Sequence, residues 1–495
     1  MATHNLFRAA YVLIAAVLLN GCASQYFKDA GTPPPVPRYA LAQWPYHDYW
    51  TGIVFNGAKI GFSHFTLTAA DATDQYEVRS EAAFVLHFLG LEKKFILKSR
   101  DRVNADLTLV DFDYDLNLDG NHQQLHGQVR SGTLGVTTST RGRSDTKTYT
   151  LSAPLYPSSI LYLYPLLHGL EVGRAYRYSV FSGETGTIDA VEQKVEGYET
   201  SELFRGPAFK LSTRLHGQGT SAWIDAAGLP VFEMAMSGVL ISALENEQTA
   251  RRYLAQASLN KQEVLLDFSR VPVDRRIPAP RTCRTLELRF TGLDAAHLPP
   301  ADVFQTCQPS GATTHCRITA ILPEALRTPG QAVAPERALQ PSITVTSTDP
   351  RIVATAAQIT AGATTDLEKI NRLVPWMQAN IRREPVDAFS ALDVLDSKRA
   401  ECQGHAYLYA AFARSLGIPT RVQNGLMYTE APQGFLYHSW NESLVNGHWL
   451  PVDPTFGQVG ADATHVKFVE GESPAELLPL LNIIGKIQVQ VLNVE

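Results

Sequence analysis

Across most of the first half of the chain, hydrophobic and polar positions alternate with a period of two, the mark of half-buried strands. Trp50 to Phe55, the pair Asn56-Gly57, and Lys59 to Leu67 predict a hairpin. Phe112, Tyr114, Leu116 and Leu118 alternate with polar residues and run into a turn at Asp119-Gly120. From about Tyr46 to Val271 this texture predicts a large antiparallel sheet or open barrel, with short helical insertions around Ser158 to Leu170 and Glu245 to Leu254. A shorter β-like segment lies between Arg281 and Ser347. In it Thr285 to Phe290 alternates and Ser342 to Thr346 closes the run, as a small sandwich or as the end of the first domain.

Further on the period changes to that of a helix. Leu367, Ile370, Leu373, Val374, Met377 and Ile381 share one face of a helix predicted from about Thr365 to Arg382, kinked at Pro375. A second helix is predicted from Cys402 to Leu416, with Ala406, Tyr409, Ala410, Phe412, Ala413 and Leu416 at near-helical spacing and Gly417 and Pro419 as its stop. Asn446-Gly447 is the strongest short hairpin signal in the chain, flanked by strands Tyr437 to Val445 and His448 to Asp453. The segment Asp462 to Lys467 and strands between Ile483 and Val494 complete this second core.

Three residues in this region carry candidate chemistry. Cys402 falls in the first turn of its helix, where unpaired backbone N–H groups favour a thiolate and can serve an oxyanion. Counting outward from Asn446-Gly447, Val445 faces His448, Trp440 faces Asp453 and His438 faces Thr455, which leaves His438 and Asp453 as diagonal neighbours on one face. Alone, a cysteine at the head of an apolar helix is more often a core residue, and a strand histidine is more often structural. His465 could be mistaken for the base, but it comes after the Asp and lacks the aromatic neighbours, so His438 is preferred.

The local contexts decide between these readings. Arg399-Ala400-Glu401-Cys402-Gln403-Gly404-His405-Ala406, then Tyr437-His438-Ser439-Trp440-Asn441-Glu442, then Trp449-Leu450-Pro451-Val452-Asp453-Pro454-Thr455 resemble the transglutaminase-like cysteine acyl-transferase fold, the papain-related group, in motif and in the order Cys, His, Asp. The resemblance covers about Asp366 to Gly471. Ala400 departs from it, since many relatives have Gly two residues before the Cys. The Trp or Gln side chain that completes the oxyanion hole in such folds is not placed by the motifs, Trp376 and Gln378 being the two candidates. The alternating first half and the resemblance together give an expected α+β fold class: a large antiparallel β domain, read from the pattern, followed by the transglutaminase-like (papain-like) α+β domain that the resemblance implies. Its implied catalytic residues are Cys402, His438 and Asp453.

The N-terminus bears on the compartment. Arg8, the apolar run Ala9 to Leu19, and Leu19-Asn20-Gly21-Cys22 resemble a bacterial lipoprotein signal, in which the chain is cut before a Cys that is then lipidated; Asn20 departs from the usual small or apolar residue. The alternative is an ordinary secretory signal cut nearby. Ala23 and Ser24 after the cysteine, rather than Asp, point by the enteric sorting habit to the outer membrane. The expectation is therefore a bacterial envelope protein anchored through Cys22, facing the periplasm, with Gly31-Thr32-Pro33-Pro34-Pro35-Val36-Pro37 as a semi-rigid tether. The expected domains are a signal peptide at 1–21, a lipidated Cys and tether at 22–45, the β-rich domain at 46–271, a small β segment or linker at 272–347, and the catalytic-like domain at 348–495.

An oxidising compartment recasts the other cysteines. Cys307 and Cys316 flank the turn-rich Gln308-Pro309-Ser310-Gly311 and are disulfide candidates, with Cys283 left over or pairing with either. A metal site from these cysteines and His315 lacks paired C-x-x-C spacing. Asp115 to Gly120 fits the opening of a calcium loop, but His126 stands where a bidentate Glu is required, so no metal and no cofactor are expected. Gly183 and Gly186 lack the Lys and hydroxyl residue of a phosphate loop. A net charge of −6 over 495 residues leaves no footprint for nucleic acid.

The expected function is acyl transfer through a thioester, with hydrolysis of a peptide or amide bond in an envelope protein as the first expectation. The alternatives are true protein-crosslinking transglutamination and a non-catalytic binding or scaffold lipoprotein, the latter because the β-rich part outweighs the catalytic-like part. Substrate, acceptor and oligomeric state are not written in the sequence.

Overall fold

The structure, a computed structural model, describes residues 26–495 other than 89–90, 119, 141–142, 184, 253–268, 294–296, 385, 387, 478, 481–482 and 484. Cys22 and the apolar run before it lie outside the described residues.

The alternating half of the chain forms one 16-stranded sheet. Its order runs from Leu155–Pro157 through Ala175–Ser182, Thr187–Ser201, Ala208–Leu215, Gln218–Ile224, Pro230–Ala235 and Leu240–Glu245. It then passes to Asp48–Phe55 and continues strand by strand to Arg143–Thr150. The two halves join where Leu240–Glu245 pairs antiparallel with Asp48–Phe55, a contact between segments far apart in sequence. Asn56 and Gly57, at φ 47° and 79°, supply the two left-handed residues that the first hairpin turn requires. Phe65, Leu67, Val78, Val180, Leu211 and Ile224 point into one core, and the helix Leu163–His168 closes it with Leu163 and Leu166. The second helical insertion begins at residue 247, after Asn246 Oδ1 accepts from the Thr249 N–H at 2.8 Å. Asp115 to Leu118 belong to a strand paired with Asn121–Arg130, the strand-and-turn reading rather than a calcium loop.

In the C-terminal part, four helices, α1 (Pro350–Ile359), α2 (Asp366–Asn380), α3 (Ala391–Ser397) and α4 (Cys402–Ser415), precede the strands β1 (Thr420–Glu430), β2 (Gln433–Val445), β3 (His448–Asp453), β4 (Gln458–Val459) and β5 (His465–Glu470). The strands form a sheet in the order β4-β3-β2-β1-β5. Thr365 and Glu368 make a reciprocal capping box that starts α2, and Pro375 lies inside that helix. One side of the sheet packs on α4, whose Leu408, Tyr409, Ala410 and Phe412 are wholly buried, together with Leu373, Val374 and Met377 from α2.

The sheet also meets a second, four-stranded sheet, in which Leu286, Leu288, Phe290 and Ile318 pack against Leu426, Tyr428, Phe435 and Val466. Segment 272–347 supplies three strands to that sheet, Thr285–Thr291, Gln305–Ser310 and Thr313–Thr319. The fourth is the last strand of the chain, Gln488–Val494, paired with Thr285–Thr291. The segment thus shares a core with β1, β2 and β5. Cys307 and Cys316 sit directly opposite each other in the four-stranded sheet and are joined by a disulfide, while Cys283 is a buried free thiol. Ser342 to Thr346, expected as part of a β-like run, is instead a bend outside any strand. Ser342 Oγ accepts from the Val345 N–H at 2.9 Å, and this local bond takes the place of a sheet ladder.

Candidate functional site

Cys402 is the first residue of α4 and is partly accessible. The backbone N–H groups of Gln403, in the same turn, and of Ser439, on β2, donate toward its sulfur. Ser439 is the residue after His438, so the strand that carries the imidazole also reaches the thiol through its backbone. A second tie fixes helix to strand: Asn441 Nδ2 donates to the Ala406 carbonyl at 3.1 Å. Ala400 is fully buried, and a Cβ placed on Gly404 would come within 2.8 Å of its methyl, so these two small residues pack directly on each other.

The hairpin ladder pairs Val445 with His448, Leu444 with Trp449 and Asn441 with Val452, the register counted from the turn. It brings His438 Nε2 to 2.9 Å from Asp453 Oδ2. The other carboxylate oxygen, Oδ1, accepts from the backbone N–H groups of Thr455 at 2.8 Å and Phe456 at 3.3 Å, so the carboxylate is fixed by main chain. Trp440 and Phe456 pack their rings against the imidazole at 6.2 and 5.6 Å.

The electrostatics differ in one respect from the helix-start argument. Burial pushes the Cys402 thiol well above its ordinary value, and Glu401 adds to the effect; the two backbone donors only partly offset it. Burial likewise holds His438 below the ordinary histidine value, against the pull of Asp453. Asp453 is held far below the usual carboxylate range: burial opposes this, but His438 and His465 outweigh it. The resting pair is therefore neutral thiol and neutral imidazole, beside an ionised carboxylate. Because an ionised carboxylate only accepts, His438 carries its proton on Nε2, which leaves Nδ1 free as a base.

Two further residues correct the sequence reading. Gln378, a candidate for the oxyanion hole, spends its amide on the Pro454 and Thr455 carbonyls at 2.5 and 3.3 Å, bracing the loop after Asp453. Trp376 packs edge-on against Phe412, with the Lys398 ammonium over its ring. Neither is shown at the thiol.

His465, ranked below His438 on sequence grounds, lies in the site: its Nε2 is 3.1 Å from the same Asp453 Oδ2. The one sequence signal for this was the polar spacing Asp462-x-Thr464-His465 within a run that is buried throughout. His438, Asp453 and His465 offer ligand atoms all within 4.8 Å of one another, close enough to surround a divalent cation. Hydrogen bonds among those same atoms already account for their convergence, and no metal role is assigned to them.

Residues 353–454 match the profile of the transglutaminase-like superfamily, a span that contains Cys402, His438 and Asp453. This chain carries a transglutaminase-like domain. The kyphoscoliosis peptidases of Mus musculus and Homo sapiens are each 27% identical to it over 119 residues, covering 21% of this chain and 18% of theirs. The chain thus aligns with less than a fifth of the length of these curated relatives. Among solved structures, a candidate cysteine protease from Cytophaga hutchinsonii aligns at 15% identity and a TM-score of 0.30, over 43% of this chain and 85% of its own. A β-barrel-like protein of unknown function from Brucella abortus aligns at 10% identity and a TM-score of 0.32, over 43% and 98%. The transglutaminase-like domain and the large sheet together give an α+β protein, the class expected.

Proposed function

We propose that the protein is a cysteine enzyme that transfers an acyl group from a peptide or carboxamide through a Cys402 thioester. The observation that carries the reading is the hydrogen bond from His438 to Asp453, made on the strand whose next residue, Ser439, addresses the Cys402 sulfur. In the forward step Nδ1 of His438 takes the thiol proton as sulfur attacks the carbonyl carbon. The backbone N–H groups at the head of α4 face the oxygen on which charge develops. His438 then returns the proton to the departing amine, leaving the thioester. Asp453 holds the imidazole in the Nε2–H tautomer and offsets the charge that forms on it.

Water resolving the thioester makes the enzyme a hydrolase of a protein or peptide-like substrate, the reading favoured here; an amine acceptor makes it a crosslinking transglutaminase. The N-terminal motif supports the further proposal that the protein works in a bacterial envelope, lipid-anchored through Cys22 at the outer membrane and facing the periplasm, with envelope proteins rather than nucleic acid as partners. The test is an electrophilic peptide-amide probe applied to the full chain and to Cys402→Ala, with the adduct located by mass spectrometry. Rapid labelling confined to Cys402 is expected. A folded protein that resists the probe would overturn the proposal in favour of a binding role.

A further inference from the structure

His465 is wholly buried, touches the proposed triad and takes no part in its proton transfers. Both of its ring nitrogens face acceptors. Nδ1 lies 3.0 Å from the Asp462 backbone carbonyl and 3.5 Å from the Asp462 carboxylate, and Nε2 lies 3.1 Å from Asp453 Oδ2. A carbonyl oxygen and an ionised carboxylate can only accept, so each nitrogen must carry a proton. An imidazole that satisfies both is an imidazolium. Among the described residues nothing donates to it, and a neutral tautomer would set a bare nitrogen lone pair against an oxygen inside the protein.

The surroundings are built to hold that charge. Asp462 is kept in place by the Thr464 N–H at 2.8 Å, by Gln458 Nε2 at 2.9 Å and by Arg281 Nη1 at 3.0 Å. Two carboxylates, Asp453 and Asp462, are thus matched by two cations, Arg281 and His465, as a buried ionic cluster requires. Burial alone would strip the proton from His465, but its bonds to Asp453 and Asp462 prevail and lift it to about 9.

We infer that His465 is a positioning residue: a standing imidazolium that holds the same Asp453 oxygen as His438 and, by its charge, keeps His438 neutral until the thiol proton arrives. The inference rests on the triad reading of the site. The two imidazole rings are 5.7 Å apart, so a cation at His465 opposes protonation of His438. The other charged and titratable groups around this row are Cys402, Glu401 and His405 at the start of α4, and Arg281 and Asp462. Lys467, further along β5, is taken up by Asp302 and Glu442.

Two measurements on the full chain test it. In Cys402→Ala protein with 15N-labelled histidine, at pH 8, one imidazole among the fourteen is expected to remain protonated on both nitrogens with its protons protected from solvent. A protein whose buried imidazoles are all neutral there overturns the inference, and this reading needs neither activity nor a His465 variant. The second is the pH profile of Cys402 alkylation by iodoacetamide in wild type and in His465→Gln. With the cation gone, His438 binds its proton more readily, so the acid limb is expected to move up by about one unit or more. A variant that is merely less stable, with its acid limb unmoved, overturns the positioning role. A Cys402 that stays inert in folded wild-type protein fails the triad reading itself, whatever the charge on His465.

Discussion

His438 and Asp453 are fifteen residues apart in sequence and 2.9 Å apart in space, and a single two-residue turn brings them together. Asn446 and Gly447, at φ 48° and 74°, fold β2 onto β3 in a fixed register, and a diagonal step across that hairpin closes the gap. A one-residue slip would send one of the two side chains to the opposite face. The His438–Asp453 pair is thus set locally, while the position of Cys402 depends on the packing of α4 on the sheet.

Replacing the thiol separates chemistry from folding. Cys402→Ala is expected to abolish turnover while leaving the thermal transition within a few degrees of wild type, because an alanine in the first turn of α4 keeps the helix and its backbone donors. His438→Ala is expected to slow alkylation of Cys402 by at least about a hundredfold, the usual contribution of a general base. Circular dichroism and a thiol-labelling time course check both. Residual wild-type turnover in the alanine variant would refute the assignment of Cys402.

The pH dependence stems from the neutral resting pair. Burial holds His438 below its ordinary value of about 6.5, so the base form persists into mildly acid solution. The rate of Cys402 alkylation is expected to hold at pH 6 and to fall only at lower pH, as His438 takes up a proton. A profile that rises instead with the ordinary titration of a free thiol, above pH 8, would show that His438 does not assist.

Local features were legible in the chain. The turn at Asn446-Gly447, the stop at Gly417 and Pro419, and the spacing of Leu367 to Ile381 encode their elements within a few residues, and each appears. The pairing of His438 with Asp453 was legible for the same reason. His465 was not, because its place beside Asp453 is made by β5 pairing with β1 on one side of the sheet while β3 lies on the other, a topology no short motif carries. The joining of Gln488–Val494 to Thr285–Thr291, and of Leu240–Glu245 to Asp48–Phe55, were hidden for the same reason. Ser342 to Thr346 misled in the other direction, since alternation cannot register a serine hydroxyl that bonds its own backbone.

Asp453→Asn tests orientation and charge together. The amide can still accept from one partner, so turnover is expected to fall by roughly 10²- to 10⁴-fold, less than in Cys402→Ala. It also removes one of the two carboxylates that hold the His465 cation, and loss of one partner of a buried ion pair costs about 3–5 kcal/mol. A clear drop in the denaturation midpoint should therefore accompany the lost activity, and unchanged stability would argue that His465 is neutral.

The same charge makes stability depend on alkaline pH. A histidine raised from about 6.5 when unfolded to about 9 when folded adds stability that is complete below the unfolded value and is lost as pH rises through the folded one. Urea midpoints are expected to decline between pH 7 and pH 10 in wild type and to decline less in His465→Gln. Parallel slopes would remove His465 as the source.

Gly425 offers the sharpest test of how the sheet sets the site. It pairs with His438 on β2 and with Lys467 on β5, so it sits between the strands that carry the two histidines. A Cβ there would come within 2.0 Å of the Val466 carbonyl oxygen and 3.1 Å of the Lys467 Cα, both backbone atoms that cannot rotate aside. The glycine is needed for that close approach, not for an unusual φ. Gly425→Ala should thus force β1 and β5 apart and cost about 2–3 kcal/mol or more. Because β5 carries His465 and β2 carries His438, the displacement should move the acid limb of the Cys402 alkylation profile as well as the urea midpoint. Alanine at Ser439, one residue from His438 but with its side chain on Asn424 Oδ1, provides the control. It should lower stability by about 1 kcal/mol and leave the limb in place, since its backbone N–H, the group that addresses the thiol, is retained.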